Sequence, residues 1–148
     1  MELNVKIKLT RGATLPTYAT DGSAAMDLRA ALEGGALTVA PGERVRVPTG
    51  IAVSTGRSDV VAIVAARSGL GTKYGICLAN GIGVIDSDYR GEISISLLNT
   101  SSDSFTVHDG DRIAQLMFMP VYAARLTACD ELDSTARGEG GFGSTGIG

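Results

Sequence analysis

Tryptophan is absent, and three phenylalanines and four tyrosines are the only aromatic residues among 148. A core so short of large rings closes on aliphatic side chains and leaves room for further apolar burial between copies of the chain. A single histidine, His108, lies in the turn-like run His108-Asp-Gly-Asp111. With no second imidazole it reads as a surface residue rather than a metal ligand or base. The two cysteines, Cys77 and Cys129, are far apart and lack metal-ligand spacing. Free thiols in a reducing compartment are the first reading, a single structural disulfide the second. Zinc chemistry, including that of zinc-dependent deaminases, is thereby excluded. Positive charge is also scarce: 13 basic residues face 16 acidic ones, with a pI near 5.1. A nucleic-acid groove or a membrane-surface patch needs the opposite balance, so neither partner is expected. No apolar run approaches the length of a membrane span, and the N-terminus has no apolar signal core. The expectation is a soluble, cytoplasmic protein.

What is present is β-sequence. Val5, Ile7 and Leu9 alternate with Lys6 and Lys8, and Arg44-Val-Arg-Val47 alternates before Pro48. Leu37 to Val39, Glu92 to Leu97 and Ser104 to Val107 read as further strands. Val60 to Val64 is a continuous β-branched run expected to be buried, and Ile113 to Met119 is a long apolar strand closed by Pro120. Only Ser68 to Tyr74 reads as a helix, and a short one. Regular turns between short strands indicate an all-β chain: a distorted jelly roll, or barrel-like double sheet, with one short helix. No repeat is apparent. A composition shift after Cys129 divides a single domain, residues 1–148, into a core of about 1–129 and a flexible Gly-rich arm of about 130–148.

The arm contains Arg137-Gly-Glu-Gly-Gly-Phe-Gly-Ser-Thr-Gly146. Glycine loses much backbone entropy on ordering, so one reading is a frayed tail. The other is a wrap for a polyphosphate, because unobstructed N–H groups, a guanidinium and two hydroxyls can all approach phosphate oxygens. Phe142 offers a flat face to a base.

Four more segments combine polar residues with tight turns. They are Ala24-Ala-Met-Asp-Leu28, Ala66-Arg-Ser-Gly-Leu70, Asn80-Gly-Ile-Gly-Val-Ile-Asp-Ser-Asp-Tyr-Arg-Gly-Glu92 and Gly110-Asp-Arg-Ile-Ala-Gln115. Together with the arm, they resemble in order the five motifs of the trimeric dUTP pyrophosphatase family. The third and fifth segments are the specific ones. The resemblance implies Mg²⁺-dependent hydrolysis of dUTP to dUMP and pyrophosphate, which limits uracil in DNA and supplies dUMP for thymidylate. It also implies a homotrimer whose sites are shared, with one subunit giving the phosphate and metal segments, a second Asp86 and its turn, and a third the arm.

Residue roles follow from the same resemblance. The turn at Asn80, read as a hairpin running through Ile85, selects uracil, and Tyr89 packs where a ribose 2′-hydroxyl would lie. Asp86 is the general base for the attacking water, since a carboxylate can both orient and deprotonate it. Asp88 is structural. Asp27 meets Mg²⁺ through water, which suits an ion that keeps several waters. Ser68 and Gly69, with Arg67, form an anion site before the helix, where Ser68 is also catalytic by helping to polarise the scissile P–O region, although Arg67 equally suits a subunit salt bridge. Gln115 is a phosphate contact, and Arg112 has no role beyond turn or interface structure. Arg137 acts as an arginine finger, Phe142 covers uracil, and Gly143, Ser144 and Thr145 hold phosphates. Two departures stand out: Ala25 where the family usually has glycine, and Ala66 where it has proline. The rival readings are a dCTP deaminase, which lacks this arm, and a catalytically silent nucleotide-binding trimer, which would have lost Asp86 or Arg137.

Overall fold

The computed structural model describes residues 2–141. Eleven strands and one helix follow in chain order: β1 (Lys6–Leu9), β2 (Met26–Arg29), β3 (Ala36–Val39), β4 (Arg44–Pro48), β5 (Ile51–Ser54), β6 (Val60–Ala65), α1 (Ser68–Tyr74), β7 (Ile76–Leu78), β8 (Gly83–Ile85), β9 (Ser94–Asn99), β10 (Phe105–His108) and β11 (Arg112–Pro120). All pairings are antiparallel. The larger sheets run β2-β11-β6-β8 and β4-β9-β7, and the ladders β1-β5 and β10-β3 complete the fold. The expected all-β architecture with one short helix is what the chain adopts.

The inner faces of the two larger sheets meet in one aliphatic cluster. Leu28, Ala62, Val64, Ala114 and Leu116 come from the first, and Val47, Ile76, Leu78, Ile95 and Leu97 from the second. Alternate side chains of a strand point to opposite faces, which is why these positions are every second residue. The run Val60 to Val64, expected to be buried throughout, is buried only at Val60, Ala62 and Val64. Val61 and Ile63 lie on the other face, where the register aligns Ile63 with Met117 and Val84, and Val61 with Met119. Val84 is 59% exposed and Met119 47%, so this outer face is apolar and uncovered in the single chain.

Polar groups inside the core are satisfied. Asn99 is fully buried, and its amide donates to the carbonyls of Val39 (2.9 Å) and Asp103 (2.8 Å). Its Oδ1 accepts from the Ser101 N–H and hydroxyl. Helix α1 ends at Gly75, whose left-handed φ of 67° lets its N–H reach back to the carbonyls of Leu70 and Gly71.

Two segments differ from expectation. The arms of the Asn80 turn do not pair with each other as a hairpin: β7 pairs with β9, and β8 with β6. The turn therefore bridges the two larger sheets, because each three-residue arm finds a longer strand to pair with. After β11 the chain leaves the sheets at Val121, whose N–H bonds the Asp59 carbonyl (2.9 Å). Every residue from 121 to 139 is exposed, so the exposed segment begins well before the composition shift at Cys129.

Candidate active site

Strand register builds a charged cluster at one end of the four-stranded sheet. Leu28 and Leu116 point into the core, so their neighbours Asp27 and Gln115, which are register partners, point outward side by side. Gln115 also pairs with Ala65, the last residue of β6. Two residues on, Arg67 is the extended N-cap of α1, with φ −86° and ψ 125°. Its Nε donates to Asp27 Oδ1 at 2.9 Å. Arg112 approaches from the other side, with Nη1 at 3.2 Å from Asp27 Oδ2. Two guanidiniums against one carboxylate leave an excess of one positive charge, a setting that attracts an anion.

The turn carrying Arg112 is braced from several directions. Asp109 accepts the N–H of Leu32 (2.7 Å) and of Gly34 (2.9 Å), and these bonds hold its carboxyl below the ordinary carboxylate range. Arg29 donates to the Gly110 carbonyl (2.8 Å), and Asp111 accepts the His108 N–H (2.8 Å). His108 itself is exposed, and Cys77 and Cys129 are both free. Clefts of about 370 Å³ flank the clamp, one lined by Asp27, Arg29 and Arg112, the other by Arg67, Tyr74 and Phe105. Ser68 and Gly69 are exposed at the start of α1 beside Arg67.

Asp86 and its turn lie elsewhere. Ile85 pairs with Ala62, so Asp86 sits one step past the end of β8, while Gln115 pairs with Ala65 at the far end of β6. At ~3.3 Å per residue and ~4.8 Å per strand, Asp86 is on the order of 15 Å from Gln115. Asn80, Asp86 and Tyr89 are all exposed, and Ile85 packs against the core. One chain thus brings together Asp27, Arg67, Ser68, Gly69 and Gln115, and keeps Asn80, Asp86 and Tyr89 apart from them. Arg137 is exposed in the arm, where its Nε donates to the Gly140 carbonyl (2.7 Å). Phe142, Gly143, Ser144 and Thr145 fall outside the described residues.

Arg112 is the member of the cluster that sequence reasoning missed. Its position in the same Gly110-to-Gln115 segment as Gln115 was the available signal, but Asp27 is distant in the chain and only the β2–β11 pairing joins them. Among the described residues, no group of three or more His, Cys, Asp or Glu could hold a metal directly, and no helix is long and apolar enough to cross a membrane.

A jelly-roll type all-β fold with an arginine-clamped carboxylate on a sheet end defines the class, a β protein with an anion-attracting edge. The family model for dUTPase matches residues 11–146. A deoxyuridine 5′-triphosphate nucleotidohydrolase from Desulfitobacterium hafniense is 50% identical over 149 residues, covering 97% of this chain and 98% of the relative. One from Shewanella sediminis is 52% identical over 132 residues, covering 89% and 86%. The solved Staphylococcus bacteriophage 80alpha dUTPase with dUPNHPP is 25% identical with a TM-score of 0.87, covering 97% of this chain and 99% of that one. The chain belongs to the dUTPase family.

Proposed function

We propose that this protein hydrolyses dUTP to dUMP and pyrophosphate in sites shared between the subunits of a homotrimer. Half-identity to named nucleotidohydrolases over nearly the whole chain carries the activity. The separation of Asp86 from the Asp27 cluster supports sharing, since a water held by Asp86 of one copy can meet phosphates held by another. The uncovered outer face, with Val61, Ile63, Val84, Met117 and Met119, supports assembly by offering the apolar area that an oligomer buries. The exposed arm, with Leu126 at 91% and Leu132 at 85%, supports a role on a neighbouring subunit.

In this reading Arg67, Ser68, Gly69 and Gln115 hold the triphosphate. Asn80 and the backbone of its turn pair with the uracil edge, and the ring of Tyr89 fills the space of a 2′-hydroxyl. Asp86 accepts a proton from the water as its oxygen attacks the α-phosphorus in line. The bond from the α-phosphorus to the bridging oxygen breaks, and pyrophosphate leaves. Arg137 offsets the charge on the departing phosphates, while Phe142, Gly143, Ser144 and Thr145 close over the substrate and exclude other water.

The donor set fits Mg²⁺ of the kind that keeps its waters. Both Asp27 oxygens carry guanidiniums and the cluster is net positive, so Mg²⁺ would be brought in on the substrate phosphates and Asp27 would meet it only through water. When bound, Mg²⁺ neutralises phosphate charge. The proposed setting is the cytoplasm, where dUTP hydrolysis keeps uracil out of DNA and provides dUMP for thymidylate.

The test is product analysis with dUTP, dCTP, dTTP and UTP, each with Mg²⁺ and with chelator. Formation of dUMP and pyrophosphate from dUTP alone, suppressed by chelator, is the expected result. A uracil nucleotide from dCTP would replace this reading with deamination, and no turnover of any substrate would leave a silent binding trimer.

A further inference from the structure

Tyr89 is held in its loop by features of its neighbours. Its hydroxyl donates to the Glu92 carbonyl at 3.1 Å. Gly91 lies under the ring: a Cβ there would meet Cε2 at 3.0 Å and overlap Cζ and the hydroxyl oxygen. The acceptor side of this arrangement is anchored to the core. The Gly50 N–H donates to the Glu92 carboxylate (2.7 Å), the Ile93 N–H to the Ile51 carbonyl (2.8 Å), and the buried Thr49 hydroxyl to the Ile93 carbonyl (2.6 Å). Arg11 adds a contact to the same carboxylate (3.3 Å). The ring itself is 45% exposed.

We propose that Gly91 and the carbonyl of Glu92 form a seat that fixes the Tyr89 ring, and that this seat sets discrimination between deoxyribose and ribose triphosphates. The inference rests on dUTP being the substrate. With its hydroxyl committed to Glu92, Tyr89 presents an apolar face to the sugar. A 2′-hydroxyl pressed against that face is desolvated without a hydrogen-bond partner, which disfavours the ribonucleotide. Displacing the ring relieves the steric block and frees the phenol to pair with the 2′-hydroxyl. Gly91 and Glu92 are positioning residues and touch no substrate.

Gly91→Ala separates this role from folding. Gly91 is not among the residues with positive φ, so alanine fits its backbone. The collision is with the far end of a side chain that is free to rotate outward, so the ring moves and the core does not. Asp86 touches this loop only through its carbonyl, which accepts the Tyr89 N–H (3.1 Å), and that bond survives ring rotation.

The experiment measures kcat and KM for dUTP and UTP with wild type, Gly91→Ala, Tyr89→Phe and a Gly22→Ala control, together with thermal midpoints. Nothing lies within 4 Å of a Cβ at Gly22, so that control should match wild type. Gly91→Ala should raise the UTP-to-dUTP ratio of kcat/KM by about tenfold, through a higher KM for dUTP and a nearly unchanged kcat. Tyr89→Phe keeps ring and glycine but loses the latch, so its ratio should rise less. Unchanged ratios in a folded Gly91→Ala overturn the proposal. If that variant fails to fold, an unchanged ratio in Tyr89→Phe overturns it. A wild type that does not hydrolyse dUTP would sink the underlying reading instead.

Discussion

Replacing Asp27 with asparagine tests the clamp at the heart of the site, because it removes the charge and keeps the shape. The bond to Arg67 joins side chains 14% and 24% exposed at 2.9 Å, so most of its strength is retained against water. Charge-assisted hydrogen bonds of this kind contribute about 1.5–3 kcal/mol. Arg112 is 47% exposed, and its 3.2 Å contact is discounted to at most about 1 kcal/mol. An asparagine oxygen can still accept from one guanidinium, but its amide N–H groups then face the other. The combined cost is about 2–3 kcal/mol. At about 2.1 cal/mol/K per residue, the unfolding entropy of 148 residues is about 0.3 kcal/mol/K, so the melting temperature should fall by roughly 6–10 °C. The assay is scanning calorimetry at one fixed protein concentration, since an oligomer's midpoint moves with concentration. Arg67→Ala and the double variant complete a cycle, with a coupling of about 1 kcal/mol or more expected. A shift below about 2 °C, or additive single effects, would mean that the clamp does not hold the sheet end together.

Asp86→Asn should retain dUTP binding by calorimetry while turnover falls by about 10²–10⁴-fold, and undiminished turnover would remove Asp86 from the chemistry. Deleting residues 137–148 should abolish hydrolysis and leave a folded trimer by light scattering; a monomeric or unfolded product would make the arm structural. Asn99→Leu removes the partners of the Val39 carbonyl and the Ser101 N–H, while the Asp103 carbonyl keeps the Ser101 hydroxyl, so chemical denaturation should show a loss of about 2–4 kcal/mol. Asp109 has a folded pKa below its ordinary 3.8, so its stabilising contribution is full above that value and is lost as pH falls through the folded pKa. The melting temperatures of wild type and Asp109→Asn should therefore differ at pH 6 and converge as pH drops below about 4, whereas a constant gap would contradict the bonds to Leu32 and Gly34.

Local pattern carried much of the fold. The alternation from Arg44, the apolar runs from Val60 and Ile113, and the interval from Ser68 to Tyr74 each mark an element close to its observed bounds. The short strands β2 and β5 escaped notice because β2 lies inside a segment read for its polar residues and β5 follows directly on the turn after Pro48, while β7 and β8 were read only as the arms of the Asn80 hairpin. The Asn80 turn shows the same limit from another side. Its sequence suits a hairpin, but pairing partners are chosen by the competition among whole strands, and β9 and β6 won its two arms.

For the site, the sequence alone determined which chemical groups are available: one carboxylate and one amide within short polar segments, arginines in turns, and a Gly-rich arm. Each is set by local composition and by the turn preferences of nearby residues. Tertiary structure decided that Arg112 joins Arg67 on Asp27, that Asp86 stands a sheet's width from them, and that Gly91 lies beneath Tyr89. These relations depend on strand register, where a slip of one residue sends every side chain to the opposite face. Register is fixed by the packing of the whole core, and no stretch of sequence short enough to read on its own contains it.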